Sequence, residues 1–140
     1  MAVRNILDQL SGGGSAPDVQ YFYSTDINWS GAFNVTGTIT FAKTNNLCVI
    51  VCSPVSSPSI TSASEIIGSV VIPPEMLPQD GTHRSSLNII RNNNQVVVGN
   101  VYFGSDYKIH ISASTTIGTP FPPGLSIAGA PNGAIMVYLI

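Results

Sequence analysis

Phe33-Asn-Val-Thr-Gly-Thr-Ile-Thr-Phe-Ala42 decides the fold class. Phe33, Val35, Gly37, Ile39 and Phe41 fall on one side, and Asn34, Thr36, Thr38 and Thr40 on the other. That period of two marks a strand with one buried face. Asn45-Asn46 predicts a turn, and Leu47-Cys-Val-Ile-Val-Cys52 returns as the hairpin partner, apolar on both faces.

The same grammar extends in both directions. Upstream, Val19 to Tyr23 reads as a short apolar and aromatic strand. Downstream, Glu65 to Ile72 is a strand stopped by Pro73-Pro74. Ser86 to Arg91, a turn at Asn92-Asn93-Asn94 and Gln95 to Phe103 form a hairpin. After the tight turn Gly104-Ser105-Asp106, Tyr107 to Ala113 pairs back, with Tyr107, Ile109 and Ile111 on one face and Lys108, His110 and Ser112 on the other. A Gly/Pro-rich loop from Gly118 to Gly124 precedes the last strand, Ala134 to Ile140. No helix is expected after Val19. About eight strands with regular turns predict an all-β, two-sheet β-sandwich, with a jelly roll as its topology. The apolar ending Met136-Val-Tyr-Leu-Ile140 predicts a last strand in the middle of a sheet.

The 140 residues fit one domain able to bury an ordinary core. Apolar residues make up 44% of the chain, which argues against disorder. Only 9% are charged, against roughly 25% in an average soluble protein. Ser, Thr, Asn and Gln take their place, a composition suited to a subunit of an assembly. A net charge of -2, with Arg4, Lys43, Arg84, Arg91 and Lys108 scattered, leaves no stripe for nucleic acid. No apolar run approaches the ~20 residues of a membrane span, and the first residues lack the apolar core of a signal peptide.

Two segments follow from composition. Residues 1–18 form an N-terminal anchor and linker, and residues 19–140 the sandwich head. In the anchor, Val3, Ile6, Leu7 and Leu10 share one side of a short amphipathic turn or two. Ser11-Gly-Gly-Gly-Ser15 then breaks the pattern as a flexible link. The anchor is expected to dock on another protein of the assembly, or else to be a tail without a role.

Candidate chemistry is sparse. Cys48 and Cys52 share a strand face, about 13 Å apart at about 3.3 Å per residue. A disulfide needs less than about 7 Å, so both read as buried free thiols. Asp80, His83 and Ser85 lie close in sequence, but a triad is built from distant segments and no nucleophile elbow accompanies them. They read as a polar corner. His110, on a polar strand face, is a titratable group of the kind used as a pH sensor, or simply a solvated histidine. The seven acids show no calcium-loop spacing. No catalytic residue, metal or cofactor is expected. Aromatics at Tyr21 to Tyr23, Trp29, Tyr102, Phe103 and Tyr107 are core residues or platforms for sugars and proteins. Asn28-Trp-Ser30 and Asn34-Val-Thr36 match the glycosylation sequon by chance.

Beyond these patterns, Ile72-Pro-Pro-Glu-Met-Leu-Pro78, Thr82-His-Arg-Ser85, Gly99-Asn-Val-Tyr-Phe-Gly-Ser-Asp-Tyr-Lys-Ile-His-Ile111 and the closing Val137-Tyr-Leu-Ile140 resemble the receptor-binding head domains of phage and viral fibres. The likeness spans Phe33 to Ile140 and rests on short motifs. Ser85 stands where that family often has Pro, and Asp106 where Gly is usual. The resemblance implies a homotrimer of jelly rolls similar to the tumour-necrosis-factor and complement C1q heads. It implies an interface near Tyr102, Tyr107, Ile109, Tyr138 and Ile140. Receptor-binding loops would carry Ser57, Ser59, Asp80, His83 and Phe121, within Ser53 to Ser62, Glu75 to Arg84 and Gly118 to Gly124. The function so implied is attachment of a particle to a host-cell receptor, protein or glycan, from the virion surface. Other virion proteins would hold residues 1–18. The alternative is a structural capsid, vertex or decoration subunit.

Overall fold

The computed structural model describes residues 21–32, 34–53, 60–79, 83–91, 94–124, 127–129 and 135–140. Residues 1–18, Phe33, Ser57, Ser59 and Asp80 lie outside the described residues.

Alternation produces strands wherever the sequence shows it. The order is β1 (Tyr21–Gly31), β2 (Val35–Lys43), β3 (Leu47–Cys52), β4 (Ile66–Val71), β5 (Arg84–Arg91), β6 (Val96–Phe103), β7 (Lys108–Ser112), β8 (Ile127–Gly129) and β9 (Ile135–Leu139). One 3-10 turn, Pro74–Met76, follows the Pro73-Pro74 stop. No α-helix occurs among the described residues. The fold is all-β, as expected.

All pairings are antiparallel, and one hydrogen-bonded sheet runs β8-β5-β6-β7-β4-β1-β2-β3-β9. Two three-stranded meanders, β1-β2-β3 and β5-β6-β7, are joined side by side through β4. The expected division into two separate sheets in jelly-roll order does not appear in this ladder. Curvature supplies the facing layers instead. Phe103 of β6 meets Tyr138 of β9 edge-on at 5.4 Å, although these strands are third and last in the sheet order. The sheet therefore curls until it nearly closes on itself.

The inner face holds a single core, which includes Ile27, Trp29, Ile39, Phe41, Ile50, Ile66, Ile89, Val101, Ile109, Ile111, Phe121 and Met136. Burial of this one face drives the curl, because a flat sheet would leave it wet. Cys48 and Cys52 belong to this core as free thiols.

Three further expectations are corrected. β1 does not stop at Tyr23. It continues to Gly31 because Ile27 and Trp29 alternate inward while Ser24, Asp26, Asn28 and Ser30 face out. Among the described residues β9 pairs only with β3 and forms one end of the sheet, not its middle. The Leu139 carbonyl on that strand accepts a bond from the Gln79 N–H at 3.1 Å, which partly caps the edge. Tyr107 does not share the face of Ile109 and Ile111. It sits in the turn at φ 59° with its side chain 55% exposed. The short β8 pairs with the end of β5 and was not foreseen at all.

Candidate functional site: a carboxylate clamp beneath two surface tips

The outer face of β4, β6 and β7 carries a cluster built around one carboxylate. Register explains its assembly. Ile66 pairs with Ile111, and Tyr102 pairs with His110. Paired residues in an antiparallel ladder share a face. Glu65, one step before Ile66, therefore lies beside Ser112, His110 and Tyr102, while Ile66, Ile109 and Ile111 point into the core.

Glu65 is encircled by donors. The Tyr102 hydroxyl lies 2.8 and 2.7 Å from its two oxygens. The Ser112 hydroxyl donates to it, as does the Gly118 N–H at 3.2 Å. His110 Nδ1 stands 3.4 Å from Oε2. The Glu65 backbone is fixed as well, since its carbonyl accepts from the Ala32 N–H at 3.0 Å. Gly31 makes that approach possible at φ 94°, where a Cβ would collide with this same carbonyl. Burial, the hydrogen bond to Glu65 and the charge of Glu65 together push the Tyr102 phenol well above its ordinary range.

His110 connects the clamp to the β6–β7 hairpin. Its Nε2 is 2.9 Å from Asp106 Oδ1, and its ring tilts against Tyr102 at 5.3 Å. A neutral imidazole donates through one nitrogen and an imidazolium through both. Burial alone would raise the Asp106 carboxyl, but bonds from His110 and the Lys108 N–H, with the charge of His110, bring it below its ordinary value. Gly104 suits this close approach, because a Cβ would meet the His110 Nε2 and lie 2.6 Å from Asp106 Oδ1, so both side chains would have to shift.

Two surface tips hang on this clamp. The first is the hairpin turn, closed by Gly104 N–H to the Lys108 carbonyl at 2.9 Å and Tyr107 N–H to the Gly104 carbonyl at 3.0 Å. The second is the loop after β7. It is held by Gly118 N–H on Glu65 and on Ser112 Oγ, the latter at 3.0 Å, and by Asn100 Nδ2 on the Thr115 carbonyl at 2.9 Å. Tyr107 at the first tip and Ile117 in the second loop are exposed, at 55% and 45%. Polar groups below are thus satisfied internally, and apolar groups above are offered to solvent. Ser112 is fully buried, so its hydroxyl cannot meet a substrate.

A second feature lies at the β9 end, an open groove of about 470 Å³ lined by Pro78, Gln79, His83, Tyr138 and Leu139. The His83 ring lies 5.1 Å from that of Tyr138, whose hydroxyl donates to the Met76 carbonyl at 2.6 Å. His83 Nε2 is 3.2 Å from Ser85 Oγ. That pair realises two members of the sequence trio, and Asp80 is outside the described residues.

No protein-family model matches the chain, and no curated protein matches it.

The residues singled out from sequence are distributed as follows. Tyr102 is half-buried and belongs to the clamp, and Tyr107 is exposed above it. Ile109 and Tyr138 are core residues of the single chain, and Ile140 packs against that core. Phe121 is also buried, bridging to Ser64. His83 lines the groove. Sequence reading missed Glu65 as a hub. The available signal was an acid at the start of an apolar strand in a chain with few acids.

Proposed function

We propose that this protein is a surface attachment protein of a viral or phage particle, working as a homotrimer that binds a host-cell receptor, protein or glycan. The observation that carries the reading is the clamp: a saturated polar support holding two tips that expose Tyr107 and Ile117. Binding residues concentrate on loops positioned by a rigid scaffold. Exposed aromatic side chains suit sugar or protein contacts. The low charge and the exposed apolar residues favour association with other copies.

A structural subunit without a receptor is favoured by a different observation. Val96 and Val98 stand 55% and 48% exposed on β6, a strip suited to packing between subunits. Titrating labelled protein onto candidate host cells and a glycan array separates the two. Attachment predicts saturable binding that falls at least tenfold in Tyr107→Ala and Ile117→Ser. Absence of saturable binding on every surface would leave the structural role.

A further inference from the structure

His110 stands between two carboxylates. Its Nε2 lies 2.9 Å from Asp106 Oδ1 and its Nδ1 lies 3.4 Å from Glu65 Oε2. Each contact needs a proton on that ring nitrogen, because an ionised carboxylate only accepts. A neutral ring carries one such proton, so it bonds one acid and turns a lone pair toward the other. An imidazolium serves both. The ring and the Glu65 side chain are 14% and 15% exposed. Water is therefore poorly placed to separate a bare nitrogen from the carboxylate, and their repulsion is weakly screened. The other charged and titratable groups around the ring come from its neighbouring strands. Tyr102 on β6 tilts against it at 5.3 Å, and its raised phenol stays protonated far above neutrality. Lys108, two residues earlier on the same face of β7, and Arg84, opposite Tyr102 on β5, are cations that favour the neutral ring. The two acids oppose them from bonding distance, where charge interactions are strongest. β4 sets Ile67 opposite His110, and residues 113–124 after β7 include no titratable side chain.

We propose that His110 is a protonation switch that ties the two surface tips together. The imidazolium bonds Asp106 and Glu65 at once, and the neutral ring keeps the shorter bond to Asp106 and releases Glu65. Asp106 belongs to the hairpin turn and precedes Tyr107, while Glu65 holds the N–H of Gly118, the residue after Ile117. The protonated ring therefore links the turn to the loop through one side chain. The bond to Glu65 is present in the protonated form and is lost as pH rises through the imidazole titration, which for histidine falls between about pH 5 and 8. An acid bound exists as well. Asp106 gives up its charge-assisted bond to the ring once its own carboxyl is protonated, below its ordinary 3.8. The switch concerns how the tips are held and is independent of what they bind.

The test is a nitrogen-15 NMR titration of the full chain from about pH 5 to about pH 8. The His110 ring should pass from a form protonated on both nitrogens to a neutral form protonated on Nε2. The backbone amide resonance of Gly118, whose N–H rests on Glu65, should shift with the same midpoint. His83, whose ring lies against Tyr138 in the groove at the β9 end, is the control inside the molecule, and the Gly118 amide should not track its titration. In His110→Gln, which keeps a donor and cannot titrate, the Gly118 step should disappear. The wild-type titration decides without the variant. A ring that holds one protonation state throughout would overturn the proposal, as would a neutral ring protonated on Nδ1. So would a ring that titrates while the Gly118 amide stays still, or a Gly118 step that survives in His110→Gln.

Discussion

The Tyr102 hydroxyl shares its proton between both oxygens of Glu65, at 2.8 and 2.7 Å, across 37 residues of sequence. That contact joins the start of β4 to β6, and the remaining acceptor capacity of Glu65 gathers Ser112 and the Gly118 loop. A carboxylate with so many donors accepts charge-assisted bonds, which are stronger than neutral ones.

Replacing Glu65 by Gln keeps the shape and removes the charge. The new amide NH2 faces groups that themselves donate. Glu65→Gln should lower unfolding free energy by about 2–3 kcal/mol, whereas Tyr102→Phe should cost about 1–2 kcal/mol. Urea unfolding of both variants and the double variant checks this. Additive losses would show that the two residues do not interact.

Asp106 gives the clamp an acid limit. Its folded-state pKa is lowered from the ordinary 3.8, with burial opposed by the His110 and Lys108 bonds. A lowered carboxyl pKa stabilises the fold fully above the unfolded value. That contribution is lost as pH falls below about 3.8 towards the folded value. The difference in melting temperature between wild type and Asp106→Asn should be larger at about pH 5 than below about pH 4. A difference that does not change with pH would contradict this.

Tyr107 pays for its position. Both hairpins of the second meander use the same closure, with a left-handed residue at φ 59°: Asn94 after β5 and Tyr107 after β6. Asn tolerates that region, while a bulky side chain there costs roughly 1–2 kcal/mol. Tyr107→Asn should therefore unfold at an equal or higher temperature, by up to about 1 kcal/mol of added stability. The same variant should bind host cells more weakly. Loss of stability in Tyr107→Asn would show that the ring is structural.

The thiols should be silent. Burial pushes Cys52 up to about 12 and also raises Cys48, where a Tyr138 hydrogen bond and Lys43 act in the opposite direction. The thiolate is the reactive form. Cys52 of native protein at pH 8 should react with a thiol reagent at least about a thousandfold more slowly than in urea-unfolded protein, with Cys48 slowed as well. Rapid modification of native Cys52 would contradict its placement in the core.

Most strands were legible because each carries its own period of two. The β2–β3 hairpin, the β5–β6 hairpin and the return of β7 all follow from local alternation and Asn or Gly turns. The second half of β1 was equally legible at Thr25, Ile27 and Trp29, but polar Ser24 and Asp26 masked it. Closure of the sheet was not legible, since no local pattern says that Phe103 meets Tyr138. The position of β9 was misread because its apolar residues on both faces suggested central burial. Glu65 was hidden for the same reason as the closure: its partners lie 37 to 53 residues away and meet only through strand register.

The mass of the full chain in dilute neutral buffer, read by light scattering during size exclusion, tests the attachment reading most directly. Three chains of 14.7 kDa travelling together, unchanged on tenfold dilution, is the predicted result. A particle of one chain's mass at every concentration would contradict it.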